Sequence, residues 1–263
     1  MVARNQSGDA AVNSPERMLA ILDLFDGRTM EWSGDAMAAN LGYSRSTLYR
    51  YLKALVEAGL LTSLPGFGYT LGPRVAELDF FMRSRDPLIV AGKPMMAELA
   101  AEFPGVALLC RRYRDTVLCV HQEQNAPGFV SNYERGLARP LLRGAASRVI
   151  LANLSRAIIK TTLESRRGEL EAAGLGKDID AARLILRQIR HRGWDCTMGN
   201  VTPGVTGVAA AVFDQNGVVL GSLSVTIGQP KLPPERQAQI ASRVVFCARI
   251  LTRATMRREE EPA

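Results

Sequence analysis

Apolar residues recur at helical spacing in three successive segments near the N-terminus, so the sequence predicts three short helices there. The first covers 14–26, with Ser14 as its cap and Pro15 in the first helical position. The second covers about 33–40, and the third covers about 44–58 and begins at a serine cap.

The pattern then changes to two short extended segments, 60–63 and 68–71, joined by a turn over 65–68 that contains proline and glycine. A further helix is predicted over about 73–82. The order helix, helix, glycine turn, helix and hairpin is typical of a winged helix-turn-helix domain.

The rest of the chain mixes strands with amphipathic helices, which predicts an antiparallel α+β domain. Helices are predicted over about 88–103, 141–154, 155–172, 178–191 and 233–257, and strands over 106–112, 116–121, 129–134, 206–213 and 218–227. Asn216 and Gly217, between the last two strands, form a strong hairpin signal.

Composition and charge narrow the function. The chain has 263 residues, of which 47% are hydrophobic and 22% charged, so it is globular with room for two domains. The first 85 residues carry nine basic and nine acidic side chains, so the net charge of +7 arises in 86–263. A DNA-binding domain at the N-terminus would therefore act through local placement of charge. The excess of basic residues in 86–263 is compatible with binding of an anionic ligand or with a solvated basic surface.

The cysteines and the N-terminus indicate a cellular location. Cys110, Cys119, Cys196 and Cys247 show no CxxC spacing, so a reducing compartment without disulfides is expected. The first thirteen residues are polar and lack the apolar segment of a secretory signal. No apolar run reaches the roughly 18 residues needed to span a membrane. We therefore expect a cytoplasmic protein that is not attached to a membrane.

The third predicted helix carries the strongest functional signal. Ala38 lets two helices approach closely, and Gly42 takes the tight turn between them. The apolar residues of this helix, Leu48, Tyr51, Leu52 and Leu55, share one face that is expected to point inward. The opposite face contains no acidic residue before Glu57. In the major groove, arginine binds guanine, and serine or threonine binds a base or a phosphate. The predicted DNA-binding residues of this helix and the wing are Ser44, Arg45, Ser46, Thr47, Tyr49, Arg50, Lys53, Gly66 and Phe67.

These segments resemble the IclR family of transcriptional regulators. The resemblance rests on GYSRSTLYRYL at 42–52, GL at 59–60, YTLGP at 69–73, RPL at 139–141, GAAS at 144–147, RGW at 192–194, PGV at 203–205 and VAAAVFD at 208–214. It implies an α+β fold with an N-terminal winged helix-turn-helix and a C-terminal GAF-like antiparallel sheet with flanking helices. The expected organisation is a disordered tail at 1–13, a DNA-binding domain at 14–72, a linker helix at 73–86, a GAF-like effector-binding domain at 87–258 and a tail at 259–263.

The resemblance also implies an effector pocket, because the second domain of the family binds small organic acids. Carried over position by position, the pocket draws on Ala145 and Ala146 at a helix start and on Ser224 and Thr226 on the last strand. The two hydroxyl residues are two positions apart, so they face the same side of that strand. Hydroxyls and helix N-terminal amides can together hold a carboxylate.

Three positions of the implied pocket depart from the family. Thr197 stands where the family often has Asp, and Gly207 where it often has Cys. Because an acid and a thiol are missing, the site is expected to be less negative and roomier. An aromatic or longer-chain acid is therefore favoured over a two-carbon acid. Arg143 often corresponds to a small residue, and it either pairs with the carboxylate or faces solvent.

Other chemistries were weighed against this interpretation. Cys119 and His121 are two residues apart on a predicted strand and share a face, so the alternative is a thiol- or metal-based sensor, or a cysteine hydrolase fused to a DNA-binding module. Two ligands are too few for a zinc site, and none of the familiar catalytic or phosphate-binding motifs is present. We expect no catalytic residue, no metal and no cofactor. A purely architectural DNA-binding protein would not need the second domain.

The sequence therefore predicts a ligand-responsive, DNA-binding transcriptional regulator of a catabolic operon and not an enzyme. Its expected partners are double-stranded operator DNA, a small carboxylate effector and a second copy of itself, as a homodimer or a dimer of dimers. Self-association is expected because one winged domain contacts too few bases to specify an operator.

Overall fold

The computed structural model describes residues 13–26, 29–125, 135–228 and 232–257. The chain separates into two compact units, and the division falls between Met82 and Arg83. This division lies inside the helix Pro73–Arg85, within the segment expected to be a linker. The expected domain limits, 14–72 and 87–258, stay predictions.

The first unit contains helices and a two-stranded hairpin in the order expected from the sequence. Its helices are α1 (Ser14–Leu19), α2 (Gly34–Leu41), α3 (Arg45–Glu57) and α4 (Pro73–Arg85), and its strands are β1 (Leu61–Leu64) and β2 (Gly68–Leu71). The two strands are antiparallel, with Leu61 opposite Leu71, and Trp32 forms a bridge to Tyr69 beside them. This arrangement confirms the winged helix-turn-helix.

The first predicted helix, over 14–26, is wrong in its length. α1 ends at Leu19, and Leu22–Leu24 form a short 3-10 helix instead. Trp32 donates its indole N–H to the carbonyl of Leu24 at 3.0 Å. This hydrogen bond connects the segment after α1 to Trp32, which forms a bridge to Tyr69.

The caps of the first unit follow the predictions in two of three places. Asn13, not Ser14, precedes the first helical residue of α1, and its backbone N–H donates to the Glu16 carboxylate at 3.4 Å. Ser44 caps α3 as predicted, since its hydroxyl accepts from the Thr47 amide at 3.3 Å. Gly42 ends α2 in the left-handed region at φ 68°, where glycine has no steric penalty.

The core of the first unit forms around the apolar stripe of α3. The residues buried there share helical spacing on one side of α3 or face that side from the segment after α1, from α2 and from β1. They are Ile21, Met37, Leu48, Tyr51, Leu52, Leu55 and Leu61. The opposite side of α3 is therefore left at the surface, which is where the predicted DNA-binding residues lie.

The second unit is a six-stranded antiparallel sheet covered by helices on both faces. Its strands are β3 (Gly105–Tyr113), β4 (Thr116–Gln124), β5 (Ala138–Pro140), β6 (Trp194–Met198), β7 (Thr206–Phe213) and β8 (Val219–Ile227). Its helices are α5 (Pro87–Glu102), α6 (Ala145–Ala152), α7 (Arg156–Ser165), α8 (Ile179–Arg192) and α9 (Pro234–Arg257). The strand order is β5-β4-β3-β8-β7-β6. The predicted α+β class is confirmed.

Each face of this sheet has its own apolar core. Side chains alternate between the faces along each strand. Leu108 and Ala209 pack beneath α6 and α8, whereas Leu109 and Ala210 pack on the other face with α5 and α9. The candidate ligand site lies on the α6 side.

Several predicted elements of the second unit are displaced or shortened. The strand predicted over 129–134 lies outside the described residues, and β5 pairs with β4 instead. The helix predicted over 141–154 begins only at Ala145, because Gly144 precedes it with φ 85°. The helix predicted over 155–172 ends at Ser165 and is followed by a short 3-10 helix.

Candidate functional site

The predicted DNA-binding residues of the first unit lie along the solvent side of α3. Ser44, Arg45, Ser46, Tyr49, Arg50 and Lys53 are exposed, and Thr47 is partly buried. The Ser44 hydroxyl also lies 2.9 Å from the Thr47 hydroxyl, so these two polar groups support each other at the start of the helix. The helix therefore presents its N-terminal turn and one basic side to solvent, as a groove-reading helix requires.

The basic side chains of this surface already have neighbours. Arg45 forms an ion pair with Asp35 of α2 at 3.0 Å, and both side chains are exposed. Lys53 lies 3.8 Å from Glu57, one turn along the helix. Arg50 lies over the Tyr51 ring. Exposed pairs of this kind are weak, so the cations remain available to phosphates or bases.

The wing and Tyr49 complete this surface. Gly66 takes φ 80° at the tip of the β1–β2 turn, and Phe67 beside it is 70% exposed. The Tyr49 hydroxyl lies against Gly34 so closely that a Cβ built there would be 2.8 Å from the oxygen. Glycine at position 34 thus gives the Tyr49 ring room against α2.

The second unit contains a cavity between the start of α6 and the ends of β6, β7 and β8. Its cavity volume is about 30 Å³, and the larger figure of about 370 Å³ also counts the open space at its mouth. The lining residues are Leu108, Gly144, Ala145, Ala146, Thr197, Asn200, Val201, Thr202, Val205, Gly207, Ser224 and Thr226. Six of the seven predicted effector-binding residues thus meet at one cavity, although their role in binding stays a prediction.

Sequence reasoning missed one wall of this cavity. Asn200, Val201, Thr202 and Val205 belong to the loop between β6 and β7. Pro203 and Gly204 inside this loop are part of the resemblance to the family, but they do not indicate a cavity wall. A polar loop leading into a strand hairpin gives no local signal of the direction in which its side chains point.

Thr197 holds the start of α6 in place. Its hydroxyl oxygen accepts a hydrogen bond from the Ala145 backbone amide at 3.0 Å. The first amides of a helix have no partner within the helix, so this contact satisfies one of them. Of the two amides predicted to meet an anion, those of Ala145 and Ala146, the first already donates to Thr197.

Ser224 is the most informative polar group in the cavity. Its side chain is buried, with 2% of the residue exposed, and its hydroxyl has no hydrogen-bond partner among the described residues. Thr226 lies two positions along the same strand, on the same wall. Gly207 faces them, and a Cβ built there would meet nothing closer than 4.0 Å. The cavity therefore offers a hydroxyl without a partner, beside a position where a side chain as small as a methyl group would fit.

The cavity wall carries no charged side chain among its described lining residues. Arg143 is not among the lining residues, and its pairing with a ligand carboxylate stays one of two predicted alternatives. Positive potential at the site comes instead from the N-terminus of α6. The net charge of the second unit is thus a poor guide to the ligand.

A buried ion pair connects α6 to β6 next to the cavity. Arg148 of α6 lies with its Nε 2.8 Å from Oδ2 of Asp195 on β6, and Arg192 also contacts Asp195. Burial raises the pKa of the Asp195 carboxyl, while the charges of both arginines oppose the rise. Arg148 also donates to the Ala173 carbonyl at 3.4 Å, and Asn200 donates to the same carbonyl at 3.0 Å. The start of α6, β6 and the rim loop are thereby connected.

The structure corrects the proposed pairing of Cys119 with His121. In the β3–β4 ladder, Cys110 lies opposite Cys119 but Leu109 lies opposite His121, so Val120 is an extra residue in a bulge. The bulge shifts the alternation, and the two side chains lie on opposite faces. His121 contacts Glu123 at 2.7 Å. In the part of the chain that the structure describes, no three metal-ligating side chains cluster.

Two family models match the chain over most of its length. The model described as the bacterial transcriptional regulator IclR C-terminal domain matches residues 81–253, and the IclR helix-turn-helix domain matches residues 14–65. The chain belongs to the IclR family. It is a transcriptional regulator with a DNA-binding helix-turn-helix and a ligand-binding C-terminal domain, and not an enzyme.

Known IclR proteins are similar to this chain over nearly its whole length, in sequence or in fold. The glycerol operon regulatory protein of Streptomyces griseus is 25% identical over 245 residues, which are 92% of this chain and 96% of that protein. An IclR regulator from Alicyclobacillus acidocaldarius has a TM-score of 0.78 and 20% identity, covering 92% of this chain and 98% of its own. An IclR homologue from Microbacterium hydrocarbonoxydans, complexed with 4-hydroxybenzoate, has a TM-score of 0.74 and 19% identity. The match covers 92% of this chain and 100% of that one.

This IclR regulator shows no sign of a membrane-spanning helix within its described residues, since each helix there is too short or too polar to cross a bilayer.

Proposed function

We propose that this IclR regulator controls a catabolic operon and senses a small organic monocarboxylate, preferably an aromatic one, in the cavity beside α6. The Ser224 hydroxyl carries the proposal, because a buried hydroxyl without a partner is rare in folded proteins. A ligand oxygen bound between Ser224 and Thr226 supplies the missing partner. The complex of one homologue with 4-hydroxybenzoate supports an aromatic acid.

The carboxylate is proposed to lie against the amide of Ala146 at the start of α6. Helix N-termini bind anions through their free N–H groups and the helix dipole. One carboxylate oxygen accepts from this amide, and the other accepts from the hydroxyls of Ser224 and Thr226. The body of the acid is proposed to extend past Gly207, where a Cβ would lie 4.0 Å from Ala145 Cβ and from Thr226 Oγ1.

Calorimetry on the full-length chain tests this site. A thermal-shift screen of carboxylic acids first selects a binder, because a selective ligand stabilises the folded state by mass action. Ser224→Ala is then expected to lower its affinity by roughly ten- to a hundredfold, as loss of one hydrogen bond to a charged group costs about 1.5–3 kcal/mol. Thr226→Val is expected to act in the same direction, and Ser242→Ala, on the surface of α9, serves as the control.

Two outcomes would contradict the proposal. Unchanged affinity in both cavity variants would place the site elsewhere. Equal affinity for the acid and its uncharged amide would show that the negative charge is not recognised. This outcome is possible because the cavity wall carries no charged side chain.

DNA binding is proposed to use a homodimer. α4 has no buried residue, and four of its large apolar side chains are exposed, namely Leu78 at 44%, Phe80 at 57%, Phe81 at 47% and Met82 at 40%. At helical spacing Leu78, Phe81 and Met82 lie on one side of α4, and exposed apolar side chains grouped in this way are typical of an interaction surface. A second copy on this surface would present two recognition helices to paired half-sites. Because operator DNA is the partner, the expected location remains the cytoplasm.

A further inference from the structure

The outer side of helix α9 carries a row of exposed side chains. They follow one another at intervals of three or four residues, so they share one side of the helix, opposite the side that packs on the sheet. The row consists of Glu235, Ala238, Ser242, Phe246 and Arg249, and all five residues are exposed. These five residues form the outer stripe of α9.

A groove beside the outer stripe has room for a large apolar side chain. It has a volume of about 390 Å³ and lies between α9 and Trp194 of β6. On the helix side its wall includes Ala238, Ala241 and Val245, which are small or aliphatic. Ala238 belongs to both the groove and the outer stripe, so the groove is open to a partner that packs on the stripe.

Phe246 projects from the same stripe and is held in position. It is 53% exposed. The Arg243 guanidinium lies 5.7 Å from the centroid of its ring. Arg243 in turn pairs with two acidic residues of α5, with Glu102 at 2.7 Å and with Glu98 at 3.7 Å. An exposed aromatic ring that is positioned in this way is typical of the centre of a protein interface.

The two ends of the stripe carry opposite charges. Within the part of the chain that the structure describes, neither Glu235 nor Arg249 forms an ion pair. The two residues lie fourteen positions apart on α9, which is about 21 Å along the helix axis. They therefore cannot reach each other within one chain, and each is available to an opposite charge on a partner.

The small and large residues and the two charges share one midpoint. Ala238 and Phe246 are each four positions from Ser242, and Glu235 and Arg249 are each seven positions from it. When two copies of a helix pack antiparallel about a two-fold axis, residues at equal distances before and after the midpoint face each other. With Ser242 at the axis, the small residue therefore faces the large one, and the acid faces the base, twice in each contact.

We propose that the outer stripe of α9 binds a second copy of this chain, with the two α9 helices antiparallel and Ser242 at the two-fold axis. Phe246 of each copy inserts beside Ala238 of the other copy, at the mouth of the groove. Glu235 of each copy pairs with Arg249 of the other. This contact is separate from the α4 surface proposed above, so it joins α4-linked dimers to one another.

The contact is weak, because it consists of one helix stripe. A stable interface buries roughly 800 Å² on each partner, and five side chains offer less, so we expect a dissociation constant on the order of 100 µM. Dilute samples at a few micromolar therefore keep only the α4 contact.

Sedimentation equilibrium of the full-length chain tests the contact by charge reversal. The natural chain should pass from dimer to tetramer between about 5 µM and about 300 µM. Arg249→Glu and Glu235→Arg should each raise the dissociation constant of the tetramer by about tenfold or more, because two ion pairs become two repulsions. The double variant Glu235→Arg/Arg249→Glu exchanges the charges and should restore the tetramer. Arg187→Glu, at an exposed position of α8, is the control and should have no effect.

The outcomes separate this contact from the α4 contact. The substituted residues are exposed, so every variant should keep the unfolding temperature of the natural chain. A natural chain whose mass does not depend on concentration overturns the inference, and so does a folded double variant that associates no better than the single variants. If the natural chain is monomeric when dilute but still associates with this charge dependence, the α4 contact is wrong and the α9 contact stands.

Cross-linking tests the midpoint separately. Ser242→Cys places a thiol beside the two-fold axis, close to the same thiol of the second copy, so a short bis-maleimide should join two chains. The controls are Arg187→Cys and the natural chain, in which Cys196 alone of the four cysteines is partly exposed. Equal cross-linking of Ser242→Cys and Arg187→Cys would assign the product to random collision and overturn the inference.

Discussion

The Thr197 hydroxyl oxygen accepts the Ala145 backbone amide at 3.0 Å, across 52 positions of sequence. Gly144, which precedes α6, has no side chain that could satisfy this amide locally. Thr197 therefore links β6 to the first turn of α6, and this turn forms one wall of the ligand cavity. The residue that departs from the family pattern thus helps to build the cavity.

Thr197→Val is expected to destabilise the chain by about 1–3 kcal/mol, because it keeps the side-chain shape but leaves a buried amide without its acceptor. Thr197→Ser keeps the acceptor and should lose about 0.8 kcal/mol or less, for one methyl group. Urea unfolding of the two variants measures the difference. Equal stability of the valine and serine variants would show that the hydrogen bond has no net value.

The recognition helix yields a prediction about DNA affinity. Arg45→Ala and Arg50→Ala should each weaken operator binding by about 1–3 kcal/mol if the arginine contacts guanine. Arg187→Ala makes the same charge change on α8 and should leave binding unaltered. Electrophoretic shifts at fixed salt, on an operator selected from random duplexes, provide the measurement. Full affinity in both α3 variants would exclude this helix as the reading element.

The ion pair between Arg45 and Asp35 adds a change in the opposite direction. Asp35→Asn frees Arg45 and removes a negative charge close to the DNA-facing side. Operator affinity should rise about two- to fivefold at low salt, and the gain should shrink as salt screens the charge. A loss of affinity would mean that Asp35 orients Arg45 for binding instead of competing for it.

These features differ in how far the sequence alone could predict them. The recognition helix is encoded locally: Ser44 caps it, Gly42 turns the chain before it, and its stripe has helical spacing. The early end of α1 is not, because apolar residues keep helical spacing to Phe25 although the α-helix ends at Leu19 and Leu22–Leu24 form a 3-10 helix.

The second unit shows the same distinction. The alternation of Ser224 and Thr226 predicted their shared wall correctly, since both lie within one regular strand. The same argument failed for Cys119 and His121, because the bulge at Val120 depends on the register of β4 against β3. A bulge changes which face every later residue occupies, and it leaves no clear mark in a short stretch of sequence.

The exposed apolar side chains of α4 predict how the chain assembles. Leu78→Asp places a charge in the proposed dimer surface and should convert the dimer to a monomer at micromolar concentration. Leu184→Asp makes the same change at an exposed leucine of α8, 50% exposed, and should leave the dimer intact. Light scattering after size exclusion measures the mass. A natural chain that is monomeric with and without DNA would contradict the homodimer.

The buried pair of Arg148 and Asp195 predicts a large loss of stability. Asp195→Asn leaves the Arg148 charge buried without its counter-ion, for which losses of about 3–5 kcal/mol are typical. Asp180→Asn breaks the exposed pair with Arg183 and should change stability by about 1 kcal/mol or less. Urea unfolding followed by circular dichroism compares the two. Similar small losses would show that solvent reaches the Arg148 charge once Asp195 is neutralised.

Thiol reactivity tests the sensor alternative directly. Cys110, Cys119 and Cys247 are buried, and only Cys196 among the four is partly exposed. Burial, followed by the nearby Asp195 charge, raises the pKa of Cys196 to about 11. At pH 8 its thiolate is therefore about one part in a thousand, and the thiolate is the reactive form. Iodoacetamide should label the folded chain slowly and the unfolded chain at all four cysteines.

The rate at which iodoacetamide labels Cys196 should rise with pH. Below a pKa, each pH unit raises the thiolate fraction about tenfold, so labelling of Cys196 should accelerate by that factor from pH 8 to pH 9 and again to pH 10. A hydrogen bond from the Cys110 thiol lowers the pKa of Cys119, but burial denies the reagent access to it. Mass spectrometry identifies the labelled residue. Rapid labelling of Cys119 in the folded chain at pH 7 would contradict this account and revive a thiol-based sensor.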